Sequence, residues 1–216
     1  MKAMILAAGR GERMRPLTDA TPKPLLKIHG QHLIVYHIEA LGKAGISDLV
    51  INTGWLGQQI IETLGDGHLY DVNIQYSQEP FDAYETGGGI FHAFELLSDP
   101  FIVVNGDIWT DYDFSRLPDT PDGVAHIVLV DNPDHHPQGD FTVRDGLASS
   151  EGDDCLTFSG IGVYRKALFN DCKPGRFPLA PLLRRAMQNR QVTAEHYRGE
   201  WNDVGSPERL SALNST

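Results

Sequence analysis

The sequence begins with residues whose types and spacing favour the binding of phosphate. The stretch "LAAGRGERMRPLTDATPKPLL", residues 6–26, contains three arginines, one lysine and two closely spaced glycines. Glycines let backbone N–H groups approach an anion closely, and the basic side chains offset its charge. Gly9 and Gly11 are not followed by the third glycine of the dinucleotide fingerprint, nor by the Gly-Lys-Ser/Thr ending of a P-loop. The stretch therefore predicts a phosphate-binding loop of a different class.

Two aspartates could hold a divalent cation that accompanies such phosphates. Asp107 follows the apolar run "FIVVN", and Asp203 lies in "WNDVG". Carboxylate oxygens are the hard ligands that Mg²⁺ prefers. An Asp after a strand can equally form a turn or cap a helix, so the pattern alone leaves both interpretations open. The pair Asp111 and Asp113 in "DYD" is a weaker metal candidate, because it lies beyond the end of the predicted strand.

The segment "EPFDAYETGGGI", residues 79–90, could lie against a planar ligand. Three glycines follow Thr86 at the start of a predicted helix, where the lack of side chains permits close backbone contact. Glu79 offers a carboxylate that accepts hydrogen bonds from N–H groups. An ordinary helix N-terminus, with Glu85 complementing the helix dipole, accounts for the same residues.

Composition argues against several classes of protein. The chain has 216 residues and a net charge of −11, whereas nucleic-acid binders usually carry a basic face, so we expect no nucleic-acid partner. No apolar run approaches the roughly 20 residues of a membrane span, and the first residues do not form a signal peptide. We therefore expect no membrane partner and a cytoplasmic location. Cys155 and Cys172 lack C-x-x-C spacing and are predicted to be free thiols.

Alternating strands and helices must position these residues. Apolar runs predict strands at "MKAMIL", "DLVIN", "VNIQYS" and "FIVVN", and helical spacing predicts helices at "HLIVYHIEALGKAGI", "GQQIIETLGDG" and "GGIFHAFELLS". This order is typical of a doubly wound α/β sheet. Further strands at "VAHIVLV", "DFTV", "LTFSGIGVYRK" and "VTAEHY" suggest that the sheet is mixed. Helices are predicted at "APLLRRAMQNR" and after Ser206, which is the expected N-cap.

The opening stretch resembles the signature of the sugar-nucleotide pyrophosphorylases, nucleotidyltransferases that join an NTP to a sugar 1-phosphate. The positions that match the family pattern are Gly9, Gly11, Arg13, Pro16, Leu17, Thr18, Lys23 and Pro24. Glu12 stands where the family often has Thr or Ser. The resemblance implies an α/β fold with a Rossmann-like, doubly wound mixed sheet in three αβα layers, the GT-A-like nucleotidyltransferase fold. It also implies a single domain over residues 1–216, with a nucleotide-binding half at 1–110 and a sugar-binding half at 111–216.

The same resemblance implies roles for particular residues. Arg13 and Lys23 would be catalytic, and Mg²⁺ would be bound by Asp107 and Asp203. The implied nucleotide contacts are Leu6, Ala7, Ala8, Gly9, Gly11, Glu79, Thr86, Gly87 and Gly88. The implied sugar contacts are Asn105, Gly139, Asp140, Ser159, Gly160 and Asn202. A Glu-Lys-Pro element that relatives use on the sugar and its phosphate is absent, so the sugar pocket departs from the glucose 1-phosphate type.

Later segments, including "ETGGGIFHA" and "EHYRGEWNDVG", resemble family members that act on N-acetylmuramate 1-phosphate. That resemblance implies UTP as the donor, UDP-sugar and pyrophosphate as products, and a role in recycling cell-wall sugars. Glu79 leaves open a guanylyltransferase acting on mannose or heptose 1-phosphate, because a carboxylate suits the N–H edge of guanine. A non-catalytic nucleotide-sugar sensor is the other alternative, although a sensor would not need the matched basic and acidic residues together.

Overall fold

A nine-stranded sheet forms the centre of the computed structural model, which describes residues 1–80 and 84–215. Within those residues the strands are β1 (Lys2–Ala7), β2 (Lys27–Ile28), β3 (Gln31–His32), β4 (Asp48–Thr53), β5 (Asn73–Gln78), β6 (Phe101–Asn105), β7 (Ile108–Thr110), β8 (Ala125–Val130), β9 (Thr142–Arg144), β10 (Leu147–Ser149), β11 (Thr157–Tyr164), β12 (Val192–Tyr197) and β13 (Trp201–Asp203). The helices are α1 (Leu33–Lys43), α2 (Gly57–Leu64), α3 (Glu85–His92), α4 (Ala180–Gln188) and α5 (Pro207–Leu213). Each strand and helix predicted from periodicity is present.

The helices form where apolar residues recur on one face and where the ends are capped. In α1 the buried residues Leu33, Ile34, Ile38 and Leu41 follow helical spacing. At the start of α5 the Ser206 hydroxyl oxygen accepts a hydrogen bond from the Arg209 backbone N–H, three residues further along, as predicted for an N-cap. No helix within residues 1–80 and 84–215 has the length and apolar character needed to cross a membrane.

The sheet is parallel in the first half of the chain and mixed beyond it. Its strand order is β5-β4-β1-β6-β11-β8-β12-β10-β9. β1 is parallel to both β4 and β6, and β5 continues the parallel part beyond β4. β11 is antiparallel to β6 and to β8, whereas β12 is parallel to β8. The predicted mixed sheet is confirmed, and the pairing of β6 with β11 joins strands from the two halves of the chain.

Apolar clusters cover both faces of this sheet. On one face, Ile38 of α1 and Ile60 of α2 belong to a cluster with Ile5 of β1. On the other face, a cluster contains Met4 of β1 and residues from α3 and α4. Successive residues of β1 enter different clusters because side chains alternate across a strand. The predicted three-layer αβα arrangement is thus confirmed.

A third cluster attaches the opening loop to the C-terminal part of the chain. β7 and β13 form a separate two-stranded ribbon, in which Asp203 lies opposite Ile108. Just beyond this ribbon, Val204 and Leu213 pack with residues that come from the opening loop and from the start of α1. These partners are Met14, Leu26, Ile28 and Leu33. The loop therefore rests on the segment that follows Asp203.

His37 connects α1 to the ribbon and makes stability depend on pH. Its Nε2 lies 2.8 Å from the carbonyl oxygen of Ile108, so this nitrogen carries the hydrogen that is donated. Burial lowers the pKa of His37 from 6.5 to about 4, although the Ile108 carbonyl and the Asp107 charge act in the opposite direction. Between these pH values the unfolded chain binds more protons than the folded one. The free energy of unfolding therefore decreases as the pH falls through this range.

We expect His37→Gln to remove this component of the pH dependence while leaving a side chain that can donate to Ile108. In the unmodified chain, this group should lower the free energy of unfolding by about 2 kcal/mol between pH 7 and pH 5. Urea denaturation at both pH values measures the difference, and the exposed His68→Gln is the matched control. The same pH dependence in the two variants would contradict the assignment.

Candidate active site

A cleft of about 280 Å³ opens at the carboxyl ends of β1, β4 and β6. β4 and β6 flank β1 on opposite sides, so the cleft lies where the chain order reverses across the sheet. The predicted site residues that line it are Leu6, Ala7, Ala8, Gly9, Lys23, Glu79, Thr86, Asn105 and Asp107. Residues without a predicted role also line it, namely Arg10, Pro24, Asn52, Tyr84 and Glu85. The structure therefore gathers most of the predicted nucleotide contacts around one space.

The opening loop keeps its shape through a glycine in the left-handed region. Gly11 has φ +66°, and a Cβ at this position would lie 3.0 Å from Cγ2 of Thr18. The Thr18 hydroxyl donates a hydrogen bond of 2.8 Å to the Gly11 carbonyl oxygen. Gly9, in contrast, is exposed and has open space where a Cβ would stand. Gly11 thus shapes the loop, and Gly9 leaves the backbone accessible from the cleft.

Arg10 fastens the loop to the connection between β4 and α2. Its guanidinium carbon lies 3.8 Å from the centre of the Trp55 ring. The guanidinium donates to the Thr18 carbonyl oxygen at 2.8 Å and to Asp19 at 2.9 Å. The Trp55 indole N–H donates to the same Thr18 carbonyl at 2.9 Å. The hydrogen bond from Arg10 is the largest influence that lowers the pKa of Asp19. Arg10 is therefore a cation held in place at the wall of the cleft.

Lys23 and Asp107 meet in the cleft as an ion pair. The Lys23 Nζ lies 2.7 Å from Oδ2 of Asp107, which joins the end of the opening loop to the residues after β6. Lys23 is only 8% exposed, whereas the Asp107 side chain is 43% exposed. An ammonium removed from water needs an anionic partner, and Asp107 supplies one. An anionic ligand entering the cleft would meet a cation that is already largely desolvated.

Asn52 links the end of β1 to Glu79. Its Oδ1 accepts a hydrogen bond of 2.7 Å from the Ala7 N–H, and its Nδ2 donates one of 2.7 Å to Oε1 of Glu79. The Glu79 N–H donates to the carbonyl oxygen of Thr53 at 2.8 Å. Burial raises the pKa of Glu79, while the hydrogen bond from Asn52 and the proximity of His92 lower it. The carboxylate thus has a fixed position at the cleft.

The glycines that begin α3 have different surroundings. A Cβ at Gly87 would lie 2.7 Å from the ring of Phe177, and one at Gly88 would lie 2.2 Å from the carbonyl oxygen of Gly175. The Gly88 N–H donates to the Phe177 carbonyl oxygen at 3.0 Å. The structure places both glycines against this later segment, while Thr86 lines the cleft. A nucleotide contact at Gly87 and Gly88 stays a prediction; residues 81–83 of the same segment lie outside the described residues.

A second cleft of about 360 Å³ lies beside β13 of the ribbon. Its lining residues are Pro133, Asp134, His135, Trp201, Asn202, Asp203 and Arg209. The Asp203 carboxylate accepts a hydrogen bond from the Arg209 guanidinium and lies 3.1 Å from Nε2 of His135. The Oδ1 of Asn202 is buried and has no hydrogen-bond partner within residues 1–80 and 84–215. The predicted sugar contact Asn202 and the predicted metal ligand Asp203 therefore share this cleft.

The two predicted metal ligands lie on neighbouring backbone segments. The Val204 N–H donates to the Asp107 carbonyl oxygen at 2.9 Å. The backbone directly after Asp203 is therefore hydrogen-bonded to that of Asp107. In the structure their side chains have separate partners, Lys23 and Arg209. Within the described ranges, no group of three or more His, Cys, Asp or Glu side chains is arranged for a metal. Mg²⁺ takes one or two carboxylates together with substrate phosphates and water, so this donor set is chemically suitable.

The "DYD" aspartates are occupied by local contacts instead. Oδ1 of Asp111 accepts a hydrogen bond of 2.8 Å from the Glu200 N–H. Oδ1 of Asp113 accepts one of 3.0 Å from the Ser115 N–H and caps a turn. These contacts agree with the interpretation of "DYD" as a structural loop.

Predicted sugar contacts fall into three environments. Asn105 lines the first cleft and packs against Gly160, where a Cβ would lie 2.5 Å from the Asn105 amide nitrogen. The Ser159 hydroxyl is buried and donates 2.7 Å to the Val128 carbonyl oxygen. Asp140 accepts a hydrogen bond of 2.9 Å from the Phe158 N–H. Gly139 precedes Asp140 with φ +63°. Two clefts are lined by other residues and not by Ser159, Gly139 or Asp140. Sugar contacts at these three residues therefore stay predictions.

Arg13 differs from the other predicted catalytic residue. It lies on the turn that follows Gly11, is exposed and lines neither cleft. Its side chain has no ion pair among residues 1–80 and 84–215, so it is available to an external anion. A role for Arg13 on phosphate stays a prediction.

Sequence reasoning missed Arg10 and Asn52, although signals for both are present. Arg10 occupies the position between Gly9 and Gly11 that the family pattern leaves open. Asn52 ends the apolar run "DLVIN" as Asn105 ends "FIVVN", and both runs belong to parallel strands. A polar residue at the carboxyl end of such a strand was therefore a detectable candidate.

Comparisons with known proteins identify the family to which the chain belongs. The family model "Nucleotidyl transferase" matches residues 2–143. The N-acetylmuramate alpha-1-phosphate uridylyltransferase of Neisseria meningitidis is 50% identical, covering 97% of this chain and 95% of the relative. The enzyme with the same name from Caulobacter vibrioides is 31% identical, covering 99% and 95%. A mannose-1-phosphate guanyltransferase of Schizosaccharomyces pombe is 28% identical, covering 96% of this chain and 61% of the relative.

A solved structure confirms the fold. A Bacillus anthracis protein assigned as a glucose-1-phosphate thymidylyltransferase, in complex with a sucrose, superposes with a TM-score of 0.87. The two chains are 22% identical, and the match covers 100% of this chain and 94% of the other. At this identity the likeness concerns the fold alone, and it confirms the predicted GT-A-like nucleotidyltransferase fold.

We expect inorganic tripolyphosphate to change the fluorescence of Trp55. Polyphosphate bound to Arg10 would change the electrostatic environment of the indole ring on which the guanidinium stacks, and the emission of Trp55 should shift. Titration of the chain with tripolyphosphate measures this change, and Trp55→Phe should abolish it while the other tryptophans remain. An unchanged emission spectrum at saturating tripolyphosphate would show that the anion does not reach Arg10.

Proposed function

The chain belongs to the nucleotidyl transferase family, and we propose that it transfers a uridylyl group from UTP to N-acetylmuramate 1-phosphate. The products are UDP-N-acetylmuramate and pyrophosphate. The observation that carries the proposal is the 50% identity, over nearly the full chain, to an enzyme named for this reaction. The reaction would supply an activated sugar in the cytoplasm during recycling of cell-wall sugars.

The nucleotide would occupy the first cleft. Residues 6–9 would lie against base and ribose, and Gly11 to Arg13 would hold the triphosphate. Arg10 adds a positive charge that is already oriented by Trp55 and Asp19. A fixed cation stabilises an anionic ligand without the cost of reorganising its surroundings on binding. Residues 1–110 would thus form the nucleotide-binding half of a single domain.

The sugar 1-phosphate would bind between the first cleft and the second. Asn105 and Gly160 are in contact beside the first cleft, and Asn202 brings a buried, unpartnered amide oxygen to the second. A buried acceptor without a partner gains most from a ligand that donates to it. We therefore propose that a sugar hydroxyl or amide N–H bonds to Asn202. The second half, 111–216, would supply most sugar contacts.

The chemistry is an in-line displacement at phosphorus. A phosphate oxygen of the sugar 1-phosphate attacks the α-phosphorus of UTP and forms a bond to it. The bond from the α-phosphorus to the oxygen that bridges to the β-phosphorus breaks, and pyrophosphate leaves with that electron pair. The attacking oxygen is already ionised, so no general base is needed. Lys23 stabilises the negative charge where the two substrates' phosphates meet, and Arg13 would steady the leaving pyrophosphate.

The family generally uses a divalent metal, and we propose Mg²⁺ held by Asp107 and Asp203. When bound, the ion would offset the charge of the triphosphate and increase the electrophilicity of phosphorus. Asp107 is half exposed at the cleft and would remain close to Lys23. Asp203 would bring its carboxylate from the adjoining ribbon, whose backbone is paired to that of Asp107 through Val204.

The alternative guanylyltransferase rests on Glu79, whose carboxylate could accept from the N–H groups of guanine. A substrate matrix separates the candidates. Purified protein is incubated with Mg²⁺, each of UTP, CTP, GTP and dTTP, and the 1-phosphates of N-acetylmuramate, glucose and mannose. We expect pyrophosphate release to be highest with UTP and N-acetylmuramate 1-phosphate. Highest release with GTP and mannose 1-phosphate would favour the alternative, and no release with any pair would favour a sensor.

We expect Asp107→Ala to lower kcat by roughly two to three orders of magnitude, because Mg²⁺ would lose a ligand and Lys23 its partner. Asp119→Ala, at an exposed position, is the matched control and should retain full activity. Steady-state kinetics measure kcat, and thermal unfolding checks that the variant is folded. A folded Asp107→Ala protein with normal kcat would show that the metal assignment is wrong.

A further inference from the structure

We propose that Asn52 is a positioning residue that sets the base selectivity of the first cleft by holding the Glu79 carboxylate. The inference rests on the proposed uridylyltransferase function, since it concerns how the same site distinguishes UTP from other nucleotides. Asn52 has no role in the mechanism described above. It acts through Glu79, which faces the cleft beside it.

The orientation of the Asn52 amide is determined by its partners. A backbone N–H can only donate, so the atom that faces Ala7 at 2.7 Å must be the amide oxygen. The amide nitrogen therefore faces Oε1 of Glu79, also at 2.7 Å. Asn52 is 4% exposed, so no solvent competes for either bond. An asparagine at this position can hold Glu79 in only one way.

Gly89 of α3 provides a second, independent indication of the pair's fixed position. A Cβ at Gly89 would lie 2.6 Å from Oε1 of Glu79 and 3.2 Å from Nδ2 of Asn52. The absence of a side chain at this helical position leaves the space that the hydrogen-bonded pair occupies. The backbone of Glu79 is fixed as well, through its N–H bond to the Thr53 carbonyl oxygen. Glu79 is thus held at both its backbone and its carboxylate.

A carboxylate held in this way favours uracil. Uracil presents one N–H donor, at N3, between two carbonyl oxygens, and Oε2 of Glu79 remains available to accept from it. Cytosine has an unprotonated N3, whose lone pair would face the carboxylate. Guanine presents two adjacent N–H donors, which pair best with both oxygens of a carboxylate, and Oε1 already accepts from Asn52. Leaving a half-buried carboxylate unpaired disfavours the wrong base.

Asn52→Asp tests this role because it removes one bond and keeps the other. When ionised, the new carboxylate can still accept from the Ala7 N–H, but it has no hydrogen to donate to Glu79 and repels that carboxylate. Asn52→Leu removes both bonds. Ser98→Ala is the matched control. The Ser98 hydroxyl oxygen accepts a hydrogen bond of 2.9 Å from the backbone N–H of Lys2, at the opposite end of β1, so this variant also removes a side-chain bond to that strand. Thermal unfolding establishes that each variant is folded.

We expect the ratio of kcat/KM for UTP to that for CTP to fall by about tenfold or more in Asn52→Asp, mostly through a higher KM for UTP. Ser98→Ala should leave the ratio unchanged, whatever its effect on stability. An unchanged ratio in a folded Asn52→Asp protein overturns the inference.

Calorimetric binding of UTP and CTP, without sugar 1-phosphate, separates this inference from the proposed function. If the unmodified protein binds UTP more tightly than CTP and Asn52→Asp loses the preference, the inference stands even if no uridylyl transfer is found. If the unmodified protein binds the two nucleotides equally, the inference fails even when transfer is observed.

Discussion

The parallel pairing of β1 with both β4 and β6 is the constraint on which the site depends. In this register Leu6 lies opposite Asn52 on one side and opposite Asn105 on the other. Asn52 bonds to Glu79, whereas Asn105 packs against Gly160 of the second half. The end of β1 therefore stands between Glu79 on one side and the second half of the chain on the other. A shift of either neighbouring strand by one residue would turn its asparagine to the other face of the sheet.

Charge in the cleft is arranged in pairs before any substrate arrives. The chain carries a net charge of −11, yet Lys23 and Arg10 both line the first cleft, and a carboxylate holds each of them in position. Asp107 holds Lys23, and Asp19 holds Arg10. Each carboxylate stabilises a cation that would otherwise lose its hydration without compensation. A polyphosphate that enters the cleft would meet cations that are already paired and largely desolvated, so little new desolvation of them is required.

Much of this arrangement could be predicted from the sequence because it depends on local patterns. Apolar runs located the strands, and their carboxyl ends located Asp107 beside the opening loop. Contacts across long separations were not predictable in this way. The glycines before Ile90 are equally compatible with ligand approach and with close packing, and only the folded structure shows that Gly87 packs on Phe177 and Gly88 on Gly175. The contact between Asp203 and Arg209 depends on the direction in which α5 leaves the ribbon, and the spacing of apolar residues does not predict that direction.

The third apolar cluster joins the opening loop to α5, and this has a consequence for synthesis on the ribosome. Met14 and Ile28 leave the ribosome well before Val204 and Leu213, with which they pack. At roughly 5–20 residues per second, the interval is on the order of ten to forty seconds. During that time the opening loop lacks the apolar contacts that Val204 and Leu213 supply. The loop therefore completes its packing only after α5 has left the ribosome.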